Sequence, residues 1–288
     1  MRTWAFLHIP KAGGTSLTSA LARGLGVPGP AKVRFDRTLF GTFDRFDELS
    51  AEIRTAIAVG EEEVDALRGE PFVAGHLCLP SLRRVAASEQ IVTLLREPRA
   101  RLLSQYAFWR QQSDEANRSW HPYRFPESAR RPLAEFLENR EIAVALDNVI
   151  CRLALGPDAR LPIDGFCDPA DVAAVSSDAI ARLEDVRHVG ILERGASTER
   201  DLATAVGVPL SIGRENVTRG RHTGVVGSVD LGEATARLLD ARSAADAQVY
   251  RHFAAAALGG TDQADAIAQT AFLAQIRVLA SQLGRASP

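Results

Sequence analysis

Phe6-Leu7-His8-Ile9-Pro10-Lys11-Ala12-Gly13-Gly14-Thr15-Ser16-Leu17 is the stretch on which the reading of this chain turns. Trp4 to Ile9 is a short apolar run bounded by turn residues, the pattern of a buried parallel strand. Leu17, Ala20, Leu21 and Leu25 then recur at helical spacing, with Thr15 or Ser16 as the cap. Between strand and helix lies a tight turn. Gly13 and Gly14 have no Cβ, so the backbone there is able to take positive φ and approach a ligand, while the N–H groups of Ala12 to Ser16 at the helix start favour negative charge. Lys11 adds a mobile cation. Of the 34 basic residues only Lys11 and Lys32 are lysine, so a compact ammonium kept in this loop points to a phosphate site. Taken alone, a glycine-rich turn fits an ordinary strand-to-helix connection equally well, and the phosphate reading needs a partner elsewhere.

The bulk properties bound the search for that partner. A chain of 288 residues, 46% hydrophobic and 24% charged, has the make-up of a globular protein with a sizeable core. Its net charge of −2 gives no general polyanion-binding surface, so a basic site must be local and nucleic acid is not the expected partner. Cys78, Cys151 and Cys167 are scattered, without metal-ligand spacing, and read as buried fillers in a reducing compartment; no metal is expected. The apolar run at the N-terminus is too short for a signal segment or a membrane span, and the expected location is the cytoplasm.

Along the chain, apolar strands alternate with helical patterns. Phe46 to Ala58 has helical spacing. Pro71 to His76 reads as a second strand, and Ile91 to Arg96, ended by Glu97-Pro98, as the clearest strand of all. Pro98 opens a helix with Leu102, Leu103, Tyr106 and Trp109 on its apolar face. Gln111 to Arg131 carries Trp120, Tyr123 and Phe125 among polar residues. It reads either as a lid or acceptor-binding loop or as a structural loop packed on the surface. Leu133–Leu155 and Ser176–Val186, the latter capped by Ser176 or Ser177, are helical; His188–Leu192 is a strand and Thr198–Val206 a helix. Arg214–Ser228 is a Gly- and Arg-rich loop, and Val229–Ala257 and Thr261–Leu283 are closing helices. With no repeat and no composition break, residues 1–288 form one α/β domain. The expected architecture is a P-loop-like central parallel sheet flanked by helices on both faces, with a helical C-terminal part and the ligand at the carboxyl ends of the strands.

The partner motif is Arg96-Glu97-Pro98-Arg99-Ala100-Arg101-Leu102-Leu103-Ser104-Gln105-Tyr106. It sets one arginine at a strand end and Arg101 and Ser104 three apart on the next helix, a set able to grip a dianionic phosphate by charge and hydroxyl hydrogen bonds. Read alone, it also fits a surface arginine cluster. The pair IPKAGGTSL and LREPRARLLSQY resembles the two nucleotide-binding motifs of sulfotransferases that use 3′-phosphoadenosine-5′-phosphosulfate (PAPS), especially the branch of heparan sulfate and uronyl 2-O-sulfotransferases. Weaker matches at Gly75-His76, Asn148–Gly156, Val189–Arg194 and Glu215–Thr218 extend the likeness over roughly residues 4 to 220.

That resemblance implies roles. Lys11, Ala12, Gly13, Gly14, Thr15 and Ser16 would hold the 5′-phosphosulfate of PAPS, Arg96 and Ser104 its 3′-phosphate, and Arg219 and Arg221 would belong to a loop closing over the nucleotide. His76 matches the family's catalytic base, with Glu97 in reserve. Lys11 would also stabilise charge on the leaving phosphate. The acceptor would be a hydroxyl on a glycan or other small molecule, and the membrane anchor and lumenal disulfides of the Golgi members have no counterpart here, as in a bacterial-type enzyme. His8 reads as a strand histidine, Glu193 and Arg194 as structural, and Asn148 and Arg152 as a pair across a helix face or a border of the acceptor site. Two alternatives stand beside the transferase: a P-loop small-molecule kinase, and a non-catalytic binder of 3′-phosphoadenosine 5′-phosphate.

Overall fold

The computed structural model describes residues 2–36, 57–58, 61–111, 128–212 and 231–283. Its centre is a six-stranded sheet in the order β3-β2-β4-β1-β5-β6, every neighbouring pair parallel. The strands are β1 (Trp4–Leu7), β2 (Ala31–Asp36), β3 (Ile57–Ala58), β4 (Phe72–His76), β5 (Ile91–Leu95) and β6 (His188–Ile191). The helices are α1 (Gly14–Gly24), α2 (Glu61–Asp65), α3 (Leu79–Leu82), α4 (Pro98–Arg110), α5 (Leu133–Glu138), α6 (Ala143–Leu146) and α7 (Val149–Leu155). The remaining helices are α8 (Val172–Glu184), α9 (Ala196–Val206), α10 (Gly232–Arg242), α11 (Ala244–Leu258) and α12 (Thr261–Leu283).

Alternation along the strands sends side chains to two separate cores. Phe6, Phe72, Val92 and Leu94 pack with Leu17 and Leu21 of α1 and Leu202 of α9. Leu7, Val73, Ile91, Leu95 and Ile191 face the other way, onto Leu79 of α3, Ile150 of α7, Val175 of α8 and Val249 of α11. Helices therefore cover both faces, and every residue of β5 is buried, which explains its unbroken apolar sequence. Its one polar member, Thr93, donates its hydroxyl to the Leu7 carbonyl at 2.8 Å. A third apolar cluster, with Leu103, Tyr106, Phe136, Leu239 and Leu279, joins α4 to α5, α10 and α12. No helix among the described residues is long and apolar enough to cross a membrane.

The topology contains a switch point. From β1 the chain passes to one side for β2 and β3, returns with β4 against β1, and then places β5 on the opposite flank of β1. In an open parallel sheet such a reversal leaves room beyond the carboxyl ends of the strands, and the segments that leave those ends begin at His8, Leu77 and Arg96.

Several local expectations fail for identifiable reasons. Ile57–Ala58 is not helical: it pairs with Phe35 and Asp36 as an edge strand, while residues 46–56 lie outside the described residues. Strand β2 occupies part of a stretch without clear periodicity. Helix α1 starts at Gly14, so its cap is Gly13 in the left-handed region (φ 78°), not Thr15 or Ser16. Helix α8 starts at Val172, which puts Ser176 inside it, where its hydroxyl lies within hydrogen-bond distance of the Ala173 carbonyl and of the Gln248 amide. The Leu133–Leu155 helix is broken into α5, a 3₁₀ turn, α6 and α7. Its last break is Asn148 at φ 46°, held by reciprocal capping between two helix starts. Asn148 Oδ1 accepts from the Ala245 and Asp246 N–H groups of α11, and the Asp246 carboxylate accepts from the Ile150 and Cys151 N–H groups of α7. The expected helix over Val229–Ala257 is likewise divided, at Ser243.

Candidate anion-binding site

The loop after β1 is shaped by its backbone. Lys11 takes φ 64° and Gly13 φ 78°, so two residues of three lie in the left-handed region, an uncommon conformation for a lysine. The turn closes with the Ala12 N–H on the Ile9 carbonyl, and α1 begins immediately after it. Gly13 and Thr15 are exposed and Ser16 is buried. A Cβ on Gly14 would lie 1.9 Å from His8 Nε2, so the His8 ring occupies the space that a side chain would need.

Arg96 joins the second motif to this loop. Its Nη1 donates to the Lys11 carbonyl at 2.9 Å and its Nη2 to Gln275 Oε1 on α12 at 2.8 Å. The Lys11 carbonyl belongs to the left-handed residue, so Arg96 braces the least ordinary peptide of the turn. The Lys11 ammonium rests 4.0 Å from the centre of the Phe108 ring on α4, a cation–π contact. Ser104 lies one turn before Phe108 and is half-buried, so its face of α4 is turned toward the loop. Among the described residues Ser104 hydrogen-bonds neither Lys11 nor Arg96.

The site is electropositive at close quarters. Burial, and then the charge on Arg96, push the Lys11 ammonium down to about 8. Burial also lowers Arg96, against the opposing pull of Glu193 and Glu97. Those two carboxylates are committed elsewhere. Glu97 caps α4 by accepting from the Ala100 N–H and holds Arg99 Nε at 2.8 Å; Glu193 accepts from the Glu97 N–H and the Tyr250 hydroxyl. Arg101 faces inward rather than toward the loop. It is 1% exposed, Nε and Nη1 have no hydrogen-bond partner among the described residues, and burial pushes it down to about 10.

His76 ends β4 beside this loop, where Leu7 of β1 pairs with Gly75. Its Nδ1 lies 2.8 Å from the His8 carbonyl. A carbonyl only accepts, so Nδ1 carries the proton and Nε2 holds the lone pair. Burial lowers its pKa, with the bond to His8 acting in the opposite direction, so the neutral ring is favoured. The His8 ring is not confined to a strand, which ends at Leu7. It lies 5.4 Å from Phe6 and 4.4 Å from His76 between centroids, and burial together with the His76 and Lys11 charges holds it well below the usual histidine range.

The structure thus brings together Lys11, Gly13, Gly14, Thr15, Ser16, His76 and Arg96. Arg219, Arg221 and residues 112–127 of the expected lid lie outside the described residues. Asn148 and Arg152 are structural. Arg152 is buried and directs its donors to Asp147 and to the carbonyls of Leu161, Pro162 and Gly165, fastening the loop after α7. Gln275 and Phe108 escaped the sequence reading. Phe108 could have been found from its helical spacing to Ser104, whereas Gln275 lies 179 residues from Arg96 with no motif around it. The three cysteines are buried and form no disulfide with one another, and no group of three or more His, Cys, Asp or Glu suited to a metal occurs among the described residues. Comparison with protein-family models, with curated proteins and with the solved structures returned no match to this chain.

Proposed function

We propose that the chain is a PAPS-dependent sulfotransferase with a P-loop-like nucleotide site, transferring a sulfuryl group to a hydroxyl on a carbohydrate acceptor. The observation that carries this reading is the 2.9 Å bond from Arg96 to the Lys11 carbonyl, which makes one continuous cationic site of two motifs that are far apart in sequence. The Arg96 charge also disfavours the Lys11 ammonium, and an anion spanning both relieves that repulsion. The residues fit a nucleotide phosphorylated at both ends. The loop N–H groups at the start of α1, with Lys11, suit the 5′-phosphosulfate, and Arg96 with Ser104 on the facing side of α4 suits the 3′-phosphate.

Bound donor supplies the sulfuryl group. His76 Nε2 takes the proton from the acceptor hydroxyl as that oxygen bonds to sulfur, and a base so positioned contributes about 10²–10⁴-fold. Lys11 leaves the Phe108 ring to meet the 5′-phosphate oxygen that gains charge when the S–O bond breaks, and the loop N–H groups share that load. Glu97 caps its helix and steadies Arg99, which removes it from the role of base.

The test is incubation with ³⁵S-labelled donor and a panel of glycans and other hydroxyl acceptors, with and without chelator. Label is expected in an acceptor regardless of chelator. His76→Ala should abolish transfer with donor binding kept, and Lys11→Ala should cut turnover by about 10²-fold or more. ATP- and magnesium-dependent phosphate transfer would identify a kinase instead, and tight binding of 3′-phosphoadenosine 5′-phosphate without transfer to any acceptor a non-catalytic binder.

A further inference from the structure

We propose that Gln275 on α12 is a positioning residue that gives the site its preference for a 3′-phosphorylated nucleotide, by holding Arg96 through an uncharged acceptor. The inference rests on the assignment of Arg96 to the 3′-phosphate and deepens it.

Arg96 makes no ion pair among the described residues, although carboxylates are near. Elsewhere the arginines pair directly: Arg84 with Asp65, Arg99 with Glu97, Arg152 with Asp147, Arg251 with Asp265. At Arg96 both direct partners are neutral oxygens, the Lys11 carbonyl and the Gln275 amide. A guanidinium carries five N–H donors; two are engaged among the described residues, and the others are the ones a ligand would use. A neutral acceptor fixes the orientation of the plane and leaves the positive charge for the ligand, whereas a carboxylate at the same place would cancel it.

Gln275 is suited to that task. It is 7% exposed, on the face of α12 that packs against α4. Phe272, one turn earlier, lies 4.2 Å from the Arg99 guanidinium. Residues 272 and 275 of α12 thus meet residues 99 and 96 in register, and this helix backs two of the three arginines of the motif.

The experiment is calorimetric titration of 3′-phosphoadenosine 5′-phosphate and of adenosine 5′-monophosphate into wild type, Gln275→Glu and Gln275→Met. The readout is the ratio of the two affinities, which a general loss of structure would not change. Wild type is expected to prefer the doubly phosphorylated nucleotide. Gln275→Glu, which converts the contact to an ion pair, should lower that preference about tenfold or more through the 3′-phosphate alone. Gln275→Met keeps the volume but not the acceptor; it should lose a few-fold, and it carries the test if the Glu variant does not fold. A wild-type preference that persists undiminished in the folded variants overturns the role of Gln275. A wild type that does not distinguish the two nucleotides overturns the underlying assignment of Arg96.

Discussion

Lys11 and His76 are set to opposite ends of one pH window. The folded-state pKa of Lys11 lies at about 8, well below the ordinary lysine value, because burial and Arg96 both disfavour its charge. A bound anion favours the charged form, so binding takes up a proton once the solution is more alkaline than about 8. Donor affinity should therefore be level near pH 7 and fall between pH 8 and 9.5 by up to about tenfold per unit. Lys11→Arg, whose charge persists over this range, should flatten the curve; an affinity unchanged in the wild type to pH 9.5 would show that Lys11 is not the cation bound. His76, lowered by burial, stays neutral into mildly acidic solution. The acid limb of kcat/KM should thus lie below the ordinary histidine value of about 6.5.

At the scale of elements, Arg152 illustrates a residue whose sequence setting admits two roles and whose contacts leave one. Its side chain is 1% exposed and its ion pair with Asp147 spans 3.0 Å. The same guanidinium gathers three carbonyls from the segment between α7 and α8. Arg152→Met removes the 3.0 Å partner of the buried Asp147 carboxylate, which keeps Arg242, Asn148 and the Cys167 N–H, and takes the same donor from those carbonyls; it should lower stability by about 3–5 kcal/mol in urea unfolding. Nucleotide affinity of the folded fraction should not change, and a selective loss of affinity would return Arg152 to the site.

What was legible in the sequence follows from how local each signal is. The β1 loop, β5 and α12 were readable because apolar runs, Pro98 and an unbroken helical period are properties of neighbouring residues. Helix breaks at Asn148 and Ser243 were not, because the groups that stabilise the first come from the paired helix about 95 residues away. Edge strand β3 is only two residues long and exists through its pairing with β2, so its periodicity carries no information. In the candidate site, the cations and glycines were legible as motifs. Gln275, the Phe108 contact and the approach of His8 to Gly14 arise only when distant elements pack together.

Over the whole molecule, a net charge of −2 surrounds a small cationic site of Lys11 and Arg96, neither of them in an ion pair among the described residues. The site sits where the strand order reverses around β1, beyond the carboxyl ends of β1, β4 and β5. A shallow cavity of about 530 Å³, lined by Arg2, Trp4, Glu89, Arg187 and Thr204, opens instead at the other end of these strands. It lacks a glycine-cradled helix start, and its arginines are not joined to the loop after β1; charge and backbone geometry favour the carboxyl end. The most direct measurement is a crystal structure with 3′-phosphoadenosine 5′-phosphate bound. The 5′-phosphate is expected on the Gly13 to Ser16 N–H groups with the Lys11 ammonium drawn off Phe108, and the 3′-phosphate on Arg96. Nucleotide in the cavity at the opposite end, or held with its 3′-phosphate away from Arg96, would contradict it.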